Sequence, residues 1–212
     1  MKFKVLLAYA PLLVLALAAG SYVGYLTLGH KPVAPPRTAA LLLADPKPLP
    51  DFLLTDAAGT AFTRRELMGH WSLLYFGYTH CPDACPTTLM DLDHMLAVLG
   101  KAKGPVLPRV YFVSVDPKRD NLGLLRNYTL YFNPAFVGVT GELEQLRALT
   151  TPLGVDFSYQ PANQTGNYTV NHSVAVFLVD PQAEETAVFT PPLAPERMAA
   201  DFRAIVDYRG DL

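Results

Sequence analysis

The sequence predicts an α/β fold in which a mixed β-sheet is flanked by helices. Apolar runs typical of buried strands alternate with amphipathic segments typical of helices, as in right-handed βαβ units with a parallel core. A turn signal at residues 180–183 then separates two short apolar runs, which indicates a closing hairpin with antiparallel strands at one edge. The chain has 212 residues, enough for about one domain with an appendage.

Composition excludes two classes of partner. The formal net charge is −2 and only 17% of residues are charged, whereas a protein that reads nucleic acid needs a basic face to displace counterions. Neither a dinucleotide-binding nor a P-loop glycine pattern occurs. We therefore expect no nucleic-acid partner and no nucleotide cofactor.

The N-terminus predicts a membrane anchor. Lys2 and Lys4 precede an apolar run over residues 5–28, which is about the length that spans a bilayer core. The lysines place residues 1–4 in the cytoplasm and the rest of the chain outside. A cleaved signal peptide is the alternative, since residues 16–18 (Ala-Leu-Ala) resemble a cleavage site, but the apolar run continues past them. Because no Arg- and Ser-rich transit peptide is present, we expect a bacterial inner membrane with the domain in the periplasm.

Residues 29–50 contain six prolines. This composition predicts an extended, semi-rigid spacer between the membrane and the domain. The folded domain is accordingly predicted at residues 51–212.

The first half of the domain is predicted to contain a hairpin, a short helix, a central strand and a long helix. Thr63 and Glu66 fit a capping box. The run 71–78 is continuously apolar and aromatic, as expected for a strand buried on both faces. The hairpin strands fall at 52–55 and 60–63, and the long helix has an apolar face made by Cys85, Leu89, Leu92, Leu96 and Leu99.

The second half is predicted to continue the alternation of strands and helices. Asp116-Pro117 closes one strand, Thr140 is the predicted cap of a helix, and Pro195 is suited to the first position of the last helix. The predicted strands are 110–115, 136–139, 173–179 and 186–190, and the predicted helices are 121–131, 142–149 and 195–206.

The two cysteines carry the strongest chemical signal. Cys81 and Cys85 follow the end of the central strand, where ligands gather in sheets of this type. Pro82 can begin a helix, which would place Cys81 at a helix N-terminus where N–H groups stabilise a thiolate. Four positions of helix bring the two sulfurs onto one face, about one turn apart. They could form a structural disulfide, act as a redox dithiol, or bind a soft metal ion.

A third donor would favour the metal site, and His172 is the best candidate. It follows an irregular polar stretch and precedes an apolar run, so a loop could carry it over the cysteines. A lone histidine is more often a surface or capping residue. The residues alone therefore leave both roles open.

Three motifs together resemble the Sco/SenC family of copper chaperones in cytochrome c oxidase assembly. They are YFGYTHCPDACP at 75–86, VSVDPKRD at 113–120 and VNHS at 170–173. The combination is specific, whereas two cysteines four positions apart alone are not. Asn171 departs from the family pattern, in which many members carry aspartate before the histidine.

The resemblance implies a thioredoxin-like fold and a copper ion, Cu(I) or Cu(II), held by Cys81, Cys85 and His172. It implies that Asp116 lines the site, although a turn residue after a strand is an equal alternative. The implied partner is subunit II of cytochrome c oxidase, whose dinuclear copper centre receives the metal, or another cuproprotein. A further copper chaperone would be the donor.

The implied role is that of an assembly factor and not of a turnover enzyme. The alternative is a thiol-disulfide reductase in which Cys81 and Cys85 act on the cysteines of a cuproprotein. A third hypothesis is a peroxidase with Cys81 as the reactive thiol.

Overall fold

The computed structural model describes residues 14–22, 34–101, 106–164 and 166–210. Two compact units divide the chain, and residues 37–207 form the larger one. The described part of the smaller unit includes helix α1 at residues 14–22. Within the described ranges, no helix has both the length and the apolar character to cross a bilayer. Residues 1–13 and 23–28 of the predicted cytoplasmic and membrane segments lie outside the description.

The larger unit is built on an eight-stranded mixed sheet of order β1-β10-β9-β4-β5-β6-β2-β3. The central pairs β4–β5 and β5–β6 are parallel, and β9, β10 and β1 continue the sheet in antiparallel pairs. The strands are β1 Leu41–Pro48, β2 Leu54–Asp56, β3 Ala61–Phe62, β4 Ser72–Gly77, β5 Arg109–Ser114, β6 Val137–Thr140, β9 Val176–Val179 and β10 Glu184–Phe189. A separate two-stranded sheet is formed by β7 Phe157–Tyr159 and β8 Val170–His172. The predicted mixed sheet is confirmed.

Helices cover both faces of the sheet. They are α2 Ala84–Gly100, α3 Leu122–Phe132, α4 Leu143–Thr150 and α5 Pro195–Gly210. Every residue of β4 is buried, because its side chains alternate between two apolar clusters. Leu73 and Tyr75 pack in the cluster with α2, α3 and α5, whereas Leu74 and Phe76 pack with α4 and the β7–β8 hairpin. Burial on both faces explains the continuous apolar run.

Local signals fix the starts of two helical elements, and the first of them was predicted. Thr63 and Glu66 form the capping box, which opens a 3-10 turn at Arg64–Leu67. Asn121 caps α3, with its side chain accepting a hydrogen bond from the Leu124 N–H at 2.9 Å. The predicted cap at Thr140 is wrong: Glu142 is the N-cap of α4. The Thr140 hydroxyl instead donates to the Ser114 carbonyl oxygen on the neighbouring strand.

The structure differs from the predicted elements at two other places. Residues 41–48, within the predicted spacer, form β1 and pair with β10 around a bulge. The Asp201 carboxylate fastens the start of this strand by accepting the N–H groups of Ala39 and Ala40. The strand predicted at 173–179 begins only at Val176, because residues 173–175 form an irregular connection after β8.

Candidate metal centre

The cysteines lie at the carboxyl end of β4, between that strand and α2. The Cys81 N–H donates to the Tyr78 carbonyl oxygen at 3.2 Å, which closes a turn after the strand. Asp83 is the N-cap of α2, so Cys81 precedes the helix and Cys85 is its second residue. The helix thus begins slightly later than predicted. The N-terminus of the helix still stabilises the Cys81 sulfur, because the Cys85 N–H donates a hydrogen bond to the Cys81 Sγ at 3.5 Å.

His172 is the last residue of β8, and the hairpin brings it over the cysteines. Its Nε2 lies 3.4 Å from the Cys85 Sγ. One ligand atom from each of Cys81, Cys85 and His172 lies within 4.8 Å of the others. The two cysteines are free thiols. The structure therefore brings together the three residues that the sequence singled out.

The histidine is oriented to use one ring nitrogen as a ligand. Its Nδ1 lies 3.0 Å from the Ser173 carbonyl oxygen, which can only accept a hydrogen bond. In that bond Nδ1 is the donor, so Nε2 is the ring nitrogen that faces the sulfurs. Metal-binding histidines are commonly fixed in this way by a carbonyl behind the ring.

The two thiols differ in protonation and in access. Hydrogen bonding from Cys85, with further bonds from His172 and main-chain N–H groups, lowers the pKa of Cys81 to about 4. The pKa of Cys85 is raised, because its thiol proton is held by the Cys81 sulfur and because it is buried. Cys85 has no exposed surface, whereas Cys81 is partly exposed. The partly exposed Cys81 therefore favours the thiolate form, and the buried Cys85 favours the thiol form.

Two aromatic rings and one glycine lie close to these atoms. The rings of Tyr75 and Tyr78 stand edge-on to His172, with centroids 6.3 and 5.8 Å from it. Burial raises the pKa of the Tyr75 hydroxyl, so it stays protonated beside the thiolate. A Cβ at Gly77 would lie 2.6 Å from the Cys85 Sγ. Glycine at the end of β4 is therefore what leaves room for the sulfur.

Asp116, the predicted outer residue of the site, has no exposed surface. Its carboxylate accepts hydrogen bonds from the Arg119 Nε and from the Tyr168 hydroxyl, the latter at 2.7 Å. Burial, followed by this bond, raises the pKa of Tyr168 to about 12. Through Tyr168, the Asp116 carboxylate is thus linked to the hairpin that carries His172.

Sequence reasoning gave no role to Asp120, whose carboxylate is also fully buried. It accepts hydrogen bonds from the main chain and hydroxyl of Thr79 and from the hydroxyl of Ser114. The only signal was its place at the end of the VDPKRD block. His80, which adjoins Cys81, is half exposed and lies with its Nδ1 3.6 Å from Asp120. His80 therefore contacts the Asp120 carboxylate that holds the segment before Cys81.

Two sulfurs and an imidazole nitrogen form a soft donor set that suits copper or zinc. A mixed sheet with helices on both faces, with a dithiol where a central strand ends, defines a thioredoxin-like protein. Here a histidine completes the dithiol into a potential metal site. The family model described as SCO1/SenC matches residues 44–207. The chain belongs to the SCO1/SenC family.

Similar proteins agree with this assignment. A protein of Danio rerio named "Protein SCO2 homolog, mitochondrial" is 41% identical over 133 residues, which are 62% of this chain and 47% of that protein. Copper-bound ScoI of Arabidopsis thaliana is 27% identical with a TM-score of 0.71, covering 75% of this chain and 98% of its own. Copper-bound ScoI of Bradyrhizobium japonicum is 32% identical with a TM-score of 0.64, covering 78% of this chain and 99% of its own. The match thus spans about half the length of the Danio rerio relative.

Proposed function

We propose that this protein binds one copper ion with Cys81, Cys85 and His172 and passes it to another protein. The observation that carries the proposal is the convergence of the three ligand atoms within 4.8 Å. Thiolates suit Cu(I), and the imidazole allows the same site to accept Cu(II). The similarity to two copper-bound ScoI structures supports copper over zinc.

The proposed recipient is the dinuclear copper centre of cytochrome c oxidase subunit II, or another cuproprotein, and the proposed donor is a further copper chaperone. Membership of the SCO1/SenC family supports this choice. The partial exposure of Cys81 and His172 also supports it, because incoming ligands need access to the metal. A structural metal site, in contrast, usually has all its coordination positions filled by protein ligands.

We also propose that residues 5–28 anchor the protein in the inner membrane and hold the domain in the periplasm. The apolar run and the lysines before it support this arrangement. The test is fractionation of cells that express the full chain, followed by protease treatment of spheroplasts. Recovery of the domain in the soluble cytoplasmic fraction would contradict the proposal.

A second candidate function is thiol-disulfide reduction, which the unequal thiols favour. The Cys81 thiolate would attack a substrate disulfide, form a mixed disulfide and release the first substrate thiolate. Cys85 would then lose its proton, attack the Cys81 sulfur and release the second, leaving Cys81 and Cys85 oxidised to a disulfide. An external dithiol reductant would restore the pair. A disulfide between the same sulfurs excludes copper, because metal binding requires thiolates.

The experiment that separates the two functions is the substitution His172→Ala. Cu(II) should bind the reduced parent with sulfur-to-copper charge-transfer bands in the visible spectrum. Loss of an outer-shell partner alone weakens metal sites about 10–100-fold, so loss of the imidazole ligand should weaken Cu(II) binding by more than about 100-fold. Reduction of a disulfide substrate should persist, since Cys81 and Cys85 remain.

The matched control is His94→Ala, which removes an exposed histidine paired with Glu196 on the surface. It should bind Cu(II) like the parent. If His172→Ala holds Cu(II) as tightly as the parent, the three-ligand site is wrong. A parent that shows no sulfur-to-copper bands would leave reduction as the better-supported function.

A further inference from the structure

The segment of residues 116–120, here called the carboxylate brace, contains two aspartates with no exposed surface, Asp116 and Asp120. Buried carboxylates are costly unless hydrogen bonds satisfy them. Both are satisfied, and their partners lie in two different segments that carry the metal ligands. The brace follows β5 and is hydrogen-bonded both to the segment before Cys81 and to the segment before His172.

Asp120 holds the segment that presents Cys81. Its carboxylate accepts the Thr79 N–H at 2.8 Å and the Thr79 hydroxyl at 2.6 Å. The Ser114 hydroxyl donates to the same carboxylate at 2.6 Å and ties it to the end of β5. Thr79 stands two positions before Cys81, so two charge-assisted bonds hold the backbone from which that sulfur projects.

Asp116 holds the segment that presents His172. The Tyr168 hydroxyl donates to its carboxylate at 2.7 Å. Arg119 bonds to Asp116, donates from Nη1 to the Tyr168 carbonyl oxygen at 2.8 Å, and lies 3.7 Å from the centroid of the Tyr168 ring. Tyr168 leads into β8, which ends at His172.

The hairpin needs such contacts because of its place in the fold. β7 and β8 pair with each other and, among the described strands, not with the eight-stranded sheet. Buried Phe157 and Val170 hold the hairpin against the core. Apolar burial is non-directional, so it does not by itself fix where His172 stands. Directional bonds to the hairpin include those of Tyr168 with the brace and that of the Tyr159 hydroxyl to the Val115 carbonyl oxygen at 2.6 Å.

We propose that the carboxylate brace sets the separation of His172 from the two cysteines, with Asp116 and Asp120 as positioning residues. One rigid loop holds the cysteine segment through Thr79 and the histidine segment through Tyr168. The inference rests on the proposed copper function, and it predicts a difference between the two oxidation states. Two thiolates suffice for linear Cu(I), whereas Cu(II) requires the imidazole as a further donor. Loosening the histidine side alone should therefore weaken Cu(II) binding selectively.

The test on the histidine side is Tyr168→Phe, which removes the hydroxyl and keeps the ring over Arg119. Cu(II) affinity should fall about 10–100-fold, the range found for outer-shell partners. Cu(I) affinity, measured by competition with a chromogenic chelator, should change less than about threefold, because Cys81 and Cys85, which suffice for linear Cu(I), are untouched. Tyr131→Phe is the matched control, because Tyr131 is 84% exposed and lies outside the site.

The test on the cysteine side is Thr79→Val, which removes one of the bonds to Asp120 and keeps the branched shape. Because Cys81 serves both ions, affinities for Cu(I) and Cu(II) should fall together, by about tenfold. Thr60→Val, at an exposed threonine of the β2–β3 turn, should leave both unchanged. Tyr168→Phe should thus weaken Cu(II) binding alone, whereas Thr79→Val should weaken the binding of both ions. A general loss of stability would not produce this difference.

A metal-free measurement separates this inference from the copper function. In the reduced, metal-free protein, Tyr168→Phe should speed hydrogen exchange at the β8 amides and leave β4 unchanged. If the parent does not bind Cu(II), the copper proposal fails, while unchanged β8 exchange would overturn the brace. Equal weakening of Cu(I) and Cu(II) by Tyr168→Phe would overturn it as well. So would full retention of Cu(II) affinity.

Discussion

The substitution Gly77→Ala tests how tightly the fold encloses the buried sulfur. The added Cβ would stand 2.6 Å from the Cys85 Sγ and 2.8 Å from the Phe112 Cε2, both closer than the 3.0 Å that real Cβ contacts respect. The backbone cannot easily retreat, because Gly77 pairs with Ser114 on β5 and its carbonyl oxygen accepts the Val115 N–H at 2.9 Å. The clash must therefore be relieved by the side chains.

The expected magnitude follows from the cost of overpacking a core. One extra methyl in a tightly packed site costs about 1–3 kcal/mol in the free energy of unfolding. At about 2–4 °C per kcal/mol for a chain of this size, the melting temperature should fall by at least about 2 °C. Gly100→Ala is the matched control, because a Cβ there meets nothing within 4 Å. Its free energy of unfolding should rise by up to about 1 kcal/mol, since alanine favours helix over glycine.

Urea unfolding of the reduced, metal-free protein measures these differences, provided the m-values agree between variants. A double-mutant cycle with Cys85→Ala then assigns the clash. Without the sulfur, Gly77→Ala should cost less by at least about 0.5 kcal/mol, the usual lower bound for residues in contact. An equal cost with and without the sulfur would refute the reasoning, because Phe112 alone would then account for the strain.

Three further predictions concern reactivity, the edge of the sheet and metal binding. Because the pKa of Cys81 is lowered to about 4, its thiolate is lost only as the pH falls toward that value. The rate of alkylation by iodoacetamide should therefore stay constant from pH 8 to about pH 5, unlike that of an ordinary thiol. A tenfold fall in this rate per pH unit over that range would contradict the prediction. Asp201→Ala removes the acceptor of the Ala39 and Ala40 N–H groups and should lower the free energy of unfolding by about 1–3 kcal/mol. Asp201→Asn keeps an acceptor oxygen and should lower it less. Equal urea midpoints for the two variants would contradict this prediction. Copper at 100 times its dissociation constant should raise the free energy of unfolding by about 2.7 kcal/mol, read as a higher melting temperature that a chelator reverses; an unchanged melting temperature would argue against binding to the folded state.

The central strands could be predicted because their environment leaves a direct trace in the sequence. All six residues of β4 are buried between two layers, and only an uninterrupted apolar run satisfies that position. β1 leaves no such trace: most of its residues are exposed, it contains two prolines, and a bulge breaks its register. The β7–β8 hairpin was missed for a related reason, since its strands are three residues long and are joined by a polar stretch.

In the candidate site, too, the local features could be predicted from the sequence and the long-range ones could not. The closeness of the two cysteines could be predicted from local sequence, because a separation of four positions at the start of a helix brings their sulfurs close together. The histidine lies 87 positions from Cys85, and the residues alone could not choose it over a surface role. The brace was beyond reach, since its bonds join residues 41 and 52 positions apart through hydroxyl groups of ordinary threonine and tyrosine.

The unequal exposure of the three donors gives the proposed site a direction. Cys85 is fully buried behind Gly77, whereas Cys81 and His172 keep some exposed surface. A ligand from a partner protein can therefore approach a bound ion only from the side of Cys81 and His172. We expect exchange to begin at these two residues and the bond to Cys85 to break last. The same geometry directs disulfide chemistry, because a substrate can meet the Cys81 thiolate and Cys85 can only attack from within. The two proposed activities, copper transfer and thiol exchange, would thus share one entrance, and each would exclude the other at the same pair of sulfurs.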